Sequence, residues 1–123
     1  MKAVVFVLCL PLIGCAAGAS DRFASAGKAT GIASYYGAES GRRTASGEWF
    51  RPEGLSAAHR TLPFGTRLSV TNLATSQTCI VRVNDRGPAL WTGRVLDLST
   101  GAARLCGLIK SGTARIAYSI LGD

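Results

Sequence analysis

Cys79-Ile80-Val81-Arg82-Val83-Asn84-Asp85-Arg86-Gly87-Pro88 is the stretch that decides the architecture. Cys79, Val81, Val83 and Asp85 alternate with Ile80, Arg82 and Asn84, the period-two pattern of a strand with one buried face, and Gly87-Pro88 ends it. Downstream, Val95 to Leu98 reads as a short strand. Ser99 is placed to cap a helix over Thr100 to Cys106, whose apolar stripe is Ala102, Ala103, Leu105 and Cys106, and Gly107 is its stop. Ala114, Ile116, Tyr118 and Ile120 alternate as a final strand. Upstream, Leu68 and Val70 alternate with Arg67, Ser69 and Thr71, while Ile32, Ser34 and Tyr36 oppose Ala33 and Tyr35. Several short strands and little helix within about 93 residues predict a mainly β, closed small barrel, because closure removes edges that so short a chain has nothing to cover with.

The ends of the chain read differently. Met1-Lys2, then eleven apolar residues from Ala3 to Ile13, then Gly14-Cys15, have the layout of a secretory signal over residues 1–14. Leu12-Ile13-Gly14-Cys15 resembles a bacterial lipobox, which implies lipid on Cys15. Ala16 stands where an Asp would be the usual inner-membrane retention signal, so the expected location is the outer membrane facing the periplasm, the alternative being a soluble periplasmic protein. Residues 16–30 hold ten Ala, Gly or Ser in fifteen and no apolar period. With Cys15 they form an expected tether over 15–30, with an r.m.s. reach of roughly 20 Å. The folded domain is then expected over 31–123.

The 123 residues carry 14 Lys and Arg against 7 Asp and Glu, a formal charge of +7, with 47% hydrophobic and 17% charged residues. That composition excludes a disordered chain, and beyond the N-terminus no apolar run reaches the ~20 residues a membrane span needs. Removing residues 1–14 takes away Lys2 and leaves 13 basic against 7 acidic groups. Nucleic acid is the usual partner of such a charge, but export excludes it; lipid head groups and cell-wall carboxylates are the expected polyanions. Cys79 and Cys106 are the cysteines left after Cys9 and Cys15, and in an oxidising compartment such a pair is expected to be bridged. Two cysteines and one histidine at unrelated spacings match no zinc pattern, so no metal or cofactor is expected.

Five stretches occur in order: Gly31-Ile32-Ala33-Ser34-Tyr35-Tyr36-Gly37, Thr44-Ala45-Ser46-Gly47-Glu48, Ala57 to Thr66 (AAHRTLPFGT), Val83-Asn84-Asp85-Arg86-Gly87-Pro88 and Gly93-Arg94-Val95-Leu96-Asp97-Leu98-Ser99. Together they resemble the rare lipoprotein A family. The resemblance implies a six-stranded double-psi β-barrel with one or two short helices, and as substrate the glycan strand of peptidoglycan. The activity it implies is lytic transglycosylation: an acid protonates the oxygen between N-acetylmuramic acid and N-acetylglucosamine, and the sugar's own 6-hydroxyl closes a 1,6-anhydro end. An acid in that role must start protonated, which calls for desolvation, and must lie within hydrogen-bond reach of the leaving oxygen.

By pattern alone Asp85 reads as a turn cap before Arg86-Gly87-Pro88; the family motif makes it the catalytic acid. Glu48 is either an exposed loop residue or an assistant in proton transfer, with Trp49 and Phe50 beside it to stack on a sugar. His59, the only histidine, is either a proton shuttle or a structural residue bonded to the Leu62-Pro63 turn. Asp97 is expected to pair with Arg94 or Arg86, or to be a second carboxylate of the site. Tyr35, Tyr36, Thr44, Trp49, Arg86 and Arg94 are the candidate substrate-binding residues, and Trp91 is a further aromatic for a sugar groove. Tyr35 stands where a Trp is frequent in the family, and the loop Gly37 to Gly41 is shorter than usual. Longer relatives carry a glycan-binding C-terminal repeat that has no counterpart before Asp123, so affinity for the wall is expected from the barrel itself. Two rival readings use the same fold: a non-catalytic, expansin-like glycan-binding module, and a hydrolase in which Glu48 or Asp97 activates water.

Overall fold

The alternation in the segment that opens the sequence reading survives folding as far as Val83. In the computed structural model, which describes residues 28–37 and 42–122, strand β4 (Thr78–Asp85) turns Cys79, Val81 and Val83 into the core and Ile80 and Arg82 outward. Asn84 departs from the pattern: strict alternation places it outside, and it is only 3% exposed. The cause is a register shift against β2 (Ser56–Ala58), where Ala57 faces Val83 and Ala58 faces Asp85, so that Asn84 is passed over. A bulge of this kind re-aims side chains at a barrel rim, and here it leaves Asp85 half-buried at the end of the strand.

The other elements are β1 (Lys28–Tyr36), β3 (Arg67–Asn72), β5 (Arg94–Ser99), helix α1 (Thr100–Cys106) and β6 (Ala114–Ile120), with a 3-10 turn at Leu90–Thr92. The strands close in the order β1-β5-β2-β4-β3-β6, and the pairs β1–β5 and β2–β4 are parallel. This is the six-stranded barrel that the resemblance implies. Lys28, Ala29 and Thr30, assigned to the tether by their composition, belong to β1, because they pair with Ser119, Tyr118 and Ala117 of β6. Strand β2 had no counterpart in the sequence reading: its three residues are all buried and too short to show a period. The signal, Cys15 and the rest of the tether, the loop 38–41 and Asp123 lie outside the described residues.

Leu68, Val70, Val81, Val83, Leu96, Leu98, Leu108 and Ile116 fill the core. Ser99 Oγ accepts from Ala102 N at the start of α1, and Gly107 ends the helix at φ 76°, as the sequence reading expects. Cys79 and Cys106 are bridged, with Cα atoms 5.7 Å apart, tying α1 to β4. Closing a loop of this length stabilises a fold by about 3.5 kcal/mol in the chain-entropy treatment. At its start α1 lies against the segment before β2. Gly101 N donates to Pro52 O at 2.8 Å, and a Cβ on Gly101 would stand 2.6 Å from the Glu53 carbonyl oxygen. Only glycine fits that approach.

Candidate active site

A tight loop over residues 42–50 builds the site against the end of β4. Arg43 and Trp49 form an isolated antiparallel bridge, Thr44 N donates to Glu48 O at 2.8 Å, and Gly47, at φ 95°, makes the turn between them. Phe50 is buried and stacks on Tyr36 of β1, ring centroids 4.8 Å apart. Two backbone N–H groups of the loop fasten it to β4: Ser46 N donates to Asn84 O (3.2 Å), and Ala45 N donates to Asp85 Oδ1 (2.9 Å). Asp85 Oδ1 also accepts from Arg86 N (2.9 Å), and Oδ2 accepts from the Tyr36 hydroxyl (3.2 Å). Its carboxylate therefore joins β1, β4 and the loop.

Beside it opens a cleft of about 280 Å³ lined by Tyr36, Arg42, Arg43, Thr44, Phe50, Ala58, Asp85, Arg86 and Asp97. Ala58 pairs with Asp85 on one side and with Asp97 on the other. Two strand spacings thus put the two aspartates about 10 Å apart at their Cα atoms, with only a methyl group between them. Asp97 accepts from Ser34 Oγ and from Arg94 Nε at 2.5 and 3.1 Å, so the expected pairing with Arg94 is the one that forms. Arg94 thereby acts through Asp97 and is not itself a lining residue. Arg86 lies over the Phe64 ring at 4.0 Å and donates to His59 O.

Tyr35 is not brought to this cleft. Adjacent residues of a strand face opposite ways; Tyr36 lines the cleft, whereas Tyr35 packs on the core and donates to Ile109 O. Trp91, on the 3-10 turn, is 88% exposed.

Glu48 lies in a neighbouring cleft of about 400 Å³ with Arg43, Trp49, Arg51, Gly54, Leu55, Ser56, Arg82 and Asn84. Its Oε1 accepts from Arg82 Nη2 (2.7 Å) and Asn84 Nδ2 (2.8 Å), and these bonds hold its carboxyl below the usual carboxylate range. Glu48 is a fixed negative charge at neutral pH, not a group ready to exchange a proton. Asn84 Oδ1 is buried and has no hydrogen-bond partner among the described residues.

His59 is held through both ring nitrogens. Its Nδ1 accepts from Thr61 N and Leu62 N, both at 3.1 Å, which assigns the ring hydrogen to Nε2, 3.0 Å from the Tyr118 hydroxyl. Burial, then the charges of Arg60 and Arg86, push its pKa down, so the ring is neutral. Burial pushes the Tyr118 hydroxyl up, so it stays protonated. The backbone of His59 completes the connection by donating its N–H to Asp85 O at 3.2 Å.

The family model described as lytic transglycolase matches residues 28–118, from the first described strand into the last. The chain belongs to the rare lipoprotein A (RlpA) family of double-psi β-barrels. Among curated RlpA proteins, the chain is 56% identical over 95 residues to one from Nostoc named "Probable endolytic peptidoglycan transglycosylase RlpA", a match covering 75% of this chain and 25% of the relative. It is 47% identical over 95 residues to the Campylobacter jejuni "Endolytic peptidoglycan transglycosylase RlpA", covering 76% of this chain and 34% of the relative. The chain thus spans about a quarter to a third of the length of these RlpA relatives. Among solved structures it superposes on apo Clavibacter michiganensis expansin with a TM-score of 0.63 at 25% identity, over 78% of this chain and 51% of the expansin. A Streptomyces papain inhibitor shares the fold at a TM-score of 0.63 and 22% identity, over 77% of this chain and 94% of the inhibitor.

Arg42, Arg43, Ala58 and Asn84 line these clefts and were not singled out by the sequence. Ala58 had a usable signal in retrospect, a small residue directly before His59 in a motif stretch. The arginines had none, since a lone Arg in a Gly- and Ser-rich loop reads as solvated surface.

Proposed function

We propose that the barrel is an endolytic peptidoglycan lytic transglycosylase in which Asp85 is the catalytic acid. The observation that carries this is the placement of the Asp85 carboxyl at the bulged end of β4, in a cleft whose walls are aromatic and cationic. The names of the curated RlpA relatives support the same reading. Asp85 in its acid form donates its proton to the glycosidic oxygen as the C1–O bond breaks. Positive charge develops at C1, and the resulting carboxylate faces it. The 6-hydroxyl of the same sugar then attacks C1, and its proton returns to Asp85 as the 1,6-anhydro ring closes, so the acid is regenerated and no water is consumed. Tyr36 and Ala45 hold the carboxyl in place throughout. Thr44, Arg86 and Phe50 border the sugar, Glu48 and Asn84 brace the loop, and His59 positions Asp85 through the backbone. Asp97, ion-paired with Arg94, supplies negative charge across the cleft from Asp85.

For the ends of the chain we propose export through residues 1–14 and a lipid on Cys15 that holds the barrel at the outer membrane, facing the periplasm. Cys15→Ala is expected to move the protein to the soluble periplasmic fraction; retention in the membrane fraction refutes the anchor.

The decisive experiment incubates the full chain with purified sacculi and reads the released fragments by mass spectrometry. Fragments lacking one water relative to hydrolytic products are expected, and Asp85→Asn is expected to abolish them while keeping the fold, since Asn Oδ1 still accepts from Ala45 N. Full-mass reducing ends refute the lytic reaction. Co-sedimentation with sacculi and no release makes the barrel a binding module.

A further inference from the structure

The cleft that holds Glu48 is larger than the one beside Asp85, and its charge is out of balance. Arg43, Arg51 and Arg82 line it against one acid, Glu48. Glu48 is already bound to Arg82, and the Arg51 guanidinium, whose charge acts on Glu48 at longer range, makes no hydrogen bond or ion pair among the described residues. Arg43 stands 4.5 Å over the Trp49 ring, whose side chain is 54% exposed and whose body lines the same cleft. Asn84 forms part of the wall, its Nδ2 engaged by Glu48. Arg43 lines both clefts, so a polymer lying over Asp85 passes directly into this one.

These features specify a ligand with two properties: a carboxylate for the Arg51 guanidinium and a flat apolar face for the indole. A neutral N-acetylated sugar supplies the second only. We propose that this cleft is a subsite for a carboxylate-bearing amino sugar of the glycan strand, with Arg51 and Arg43 as its carboxylate receptors. The inference rests on the glycan strand being the substrate, and it adds a recognition of acid that the reaction at Asp85 does not itself need. The carboxylate has two sources on such a strand: the lactyl ether of a muramyl residue without its peptide, or a free carboxyl of an attached stem peptide. A lactyl carboxylate lies beside the ring that stacks on Trp49, whereas a peptide carboxylate sits several bonds further out.

The test measures dissociation constants of the full chain by calorimetry for three strand preparations. The first is peptide-free, the second is the same material with its carboxyls converted to methylamides, and the third carries intact stem peptides. The peptide-free acid is expected to bind about tenfold more tightly than its amide, a preference that shrinks with added salt. Arg51→Gln is expected to cut that preference about threefold while leaving affinity for the amide strand unchanged, and Arg43→Gln with Arg51→Gln to remove it. Arg51→Lys should keep most of it. Peptide-bearing strands that bind like the amide assign the subsite to the lactyl carboxylate; strands that bind like the free acid, with the same sensitivity to Arg51, assign it to the peptide. Equal binding of acid and amide overturns the proposal, as does an Arg51→Gln variant that weakens both alike. Product release, read by mass spectrometry on the same samples, is a separate arm. Loss of the anhydro product would refute the lytic reading and leave the charge preference standing, and the reverse outcome would refute only the subsite.

Discussion

Replacing His59 by alanine separates a scaffold from a proton shuttle. The substitution removes the acceptor of two backbone N–H groups, Thr61 and Leu62, and the partner of the Tyr118 hydroxyl. A net hydrogen bond contributes about 1 kcal/mol, and water can replace the exposed one at Thr61, so the expected loss is about 2 kcal/mol. For a domain of this size that lowers Tm by roughly 10 °C. His59→Asn places an amide oxygen near the position of Nδ1 and should recover more than half of the loss. The assay pairs thermal melts followed by circular dichroism with anhydro-product release measured well below both midpoints. Product per folded molecule is expected to stay within about threefold of the parent, whereas removal of a true proton-transfer group costs about 100-fold or more. A variant that keeps its Tm and loses activity a hundredfold refutes the scaffold assignment. The pH dependence gives a second check. Unfolded His59 titrates near 6.5 and folded His59 lower, so between those values the unfolded chain binds the extra proton. The stabilisation is complete above about pH 6.5 and is lost as pH falls through the folded value; the alanine variant should lack that slope.

Three further outcomes are expected. Ala58→Leu puts a branched side chain between Asp85 and Asp97 and should cut product release per folded molecule at least tenfold, with a Tm loss of roughly 5–15 °C because Ala58 is buried; unchanged turnover would show that the substrate does not reach this floor. Gly101→Ala forces a Cβ against the Glu53 carbonyl and should cost about 1–3 kcal/mol, read from the urea midpoint. Reducing the Cys79–Cys106 bridge should lower stability by about 3.5 kcal/mol, measured by melts with and without reductant.

Much of the barrel was legible because its longer strands and its helix carry local signals: the alternation of β4 and β6, and the Ser99 cap and Gly107 stop of α1. What the sequence did not show depends on pairing between distant segments. Three buried residues, Ser56 to Ala58, have no period to detect, yet β2 sets the bulge that buries Asn84 and aims Asp85. The start of β1 was hidden for the same reason, since Lys28 to Thr30 become a strand only by pairing with β6. In the site, Asp85 stood out by its place at a strand end. Glu48 was readable as a functional loop acid, but its partners Arg82 and Asn84 lie more than thirty residues away. His59 was an open question that only its three hydrogen bonds answer.

The bond from Ala45 N to Asp85 Oδ1 makes the side chain a latch, beside the part proposed for it as an acid. An oxygen acceptor at this position has a mechanical reason to persist, because without it the loop that carries Thr44, Glu48 and Trp49 loses one of the two backbone N–H groups that fasten it to β4. A barrel of this kind that gave up cutting glycan and kept only its grip on the wall would still need an oxygen acceptor here, from an aspartate or an asparagine, to hold its mouth in shape. In such proteins the presence of that residue is a statement about architecture first, and the bond it breaks has to be found in the product.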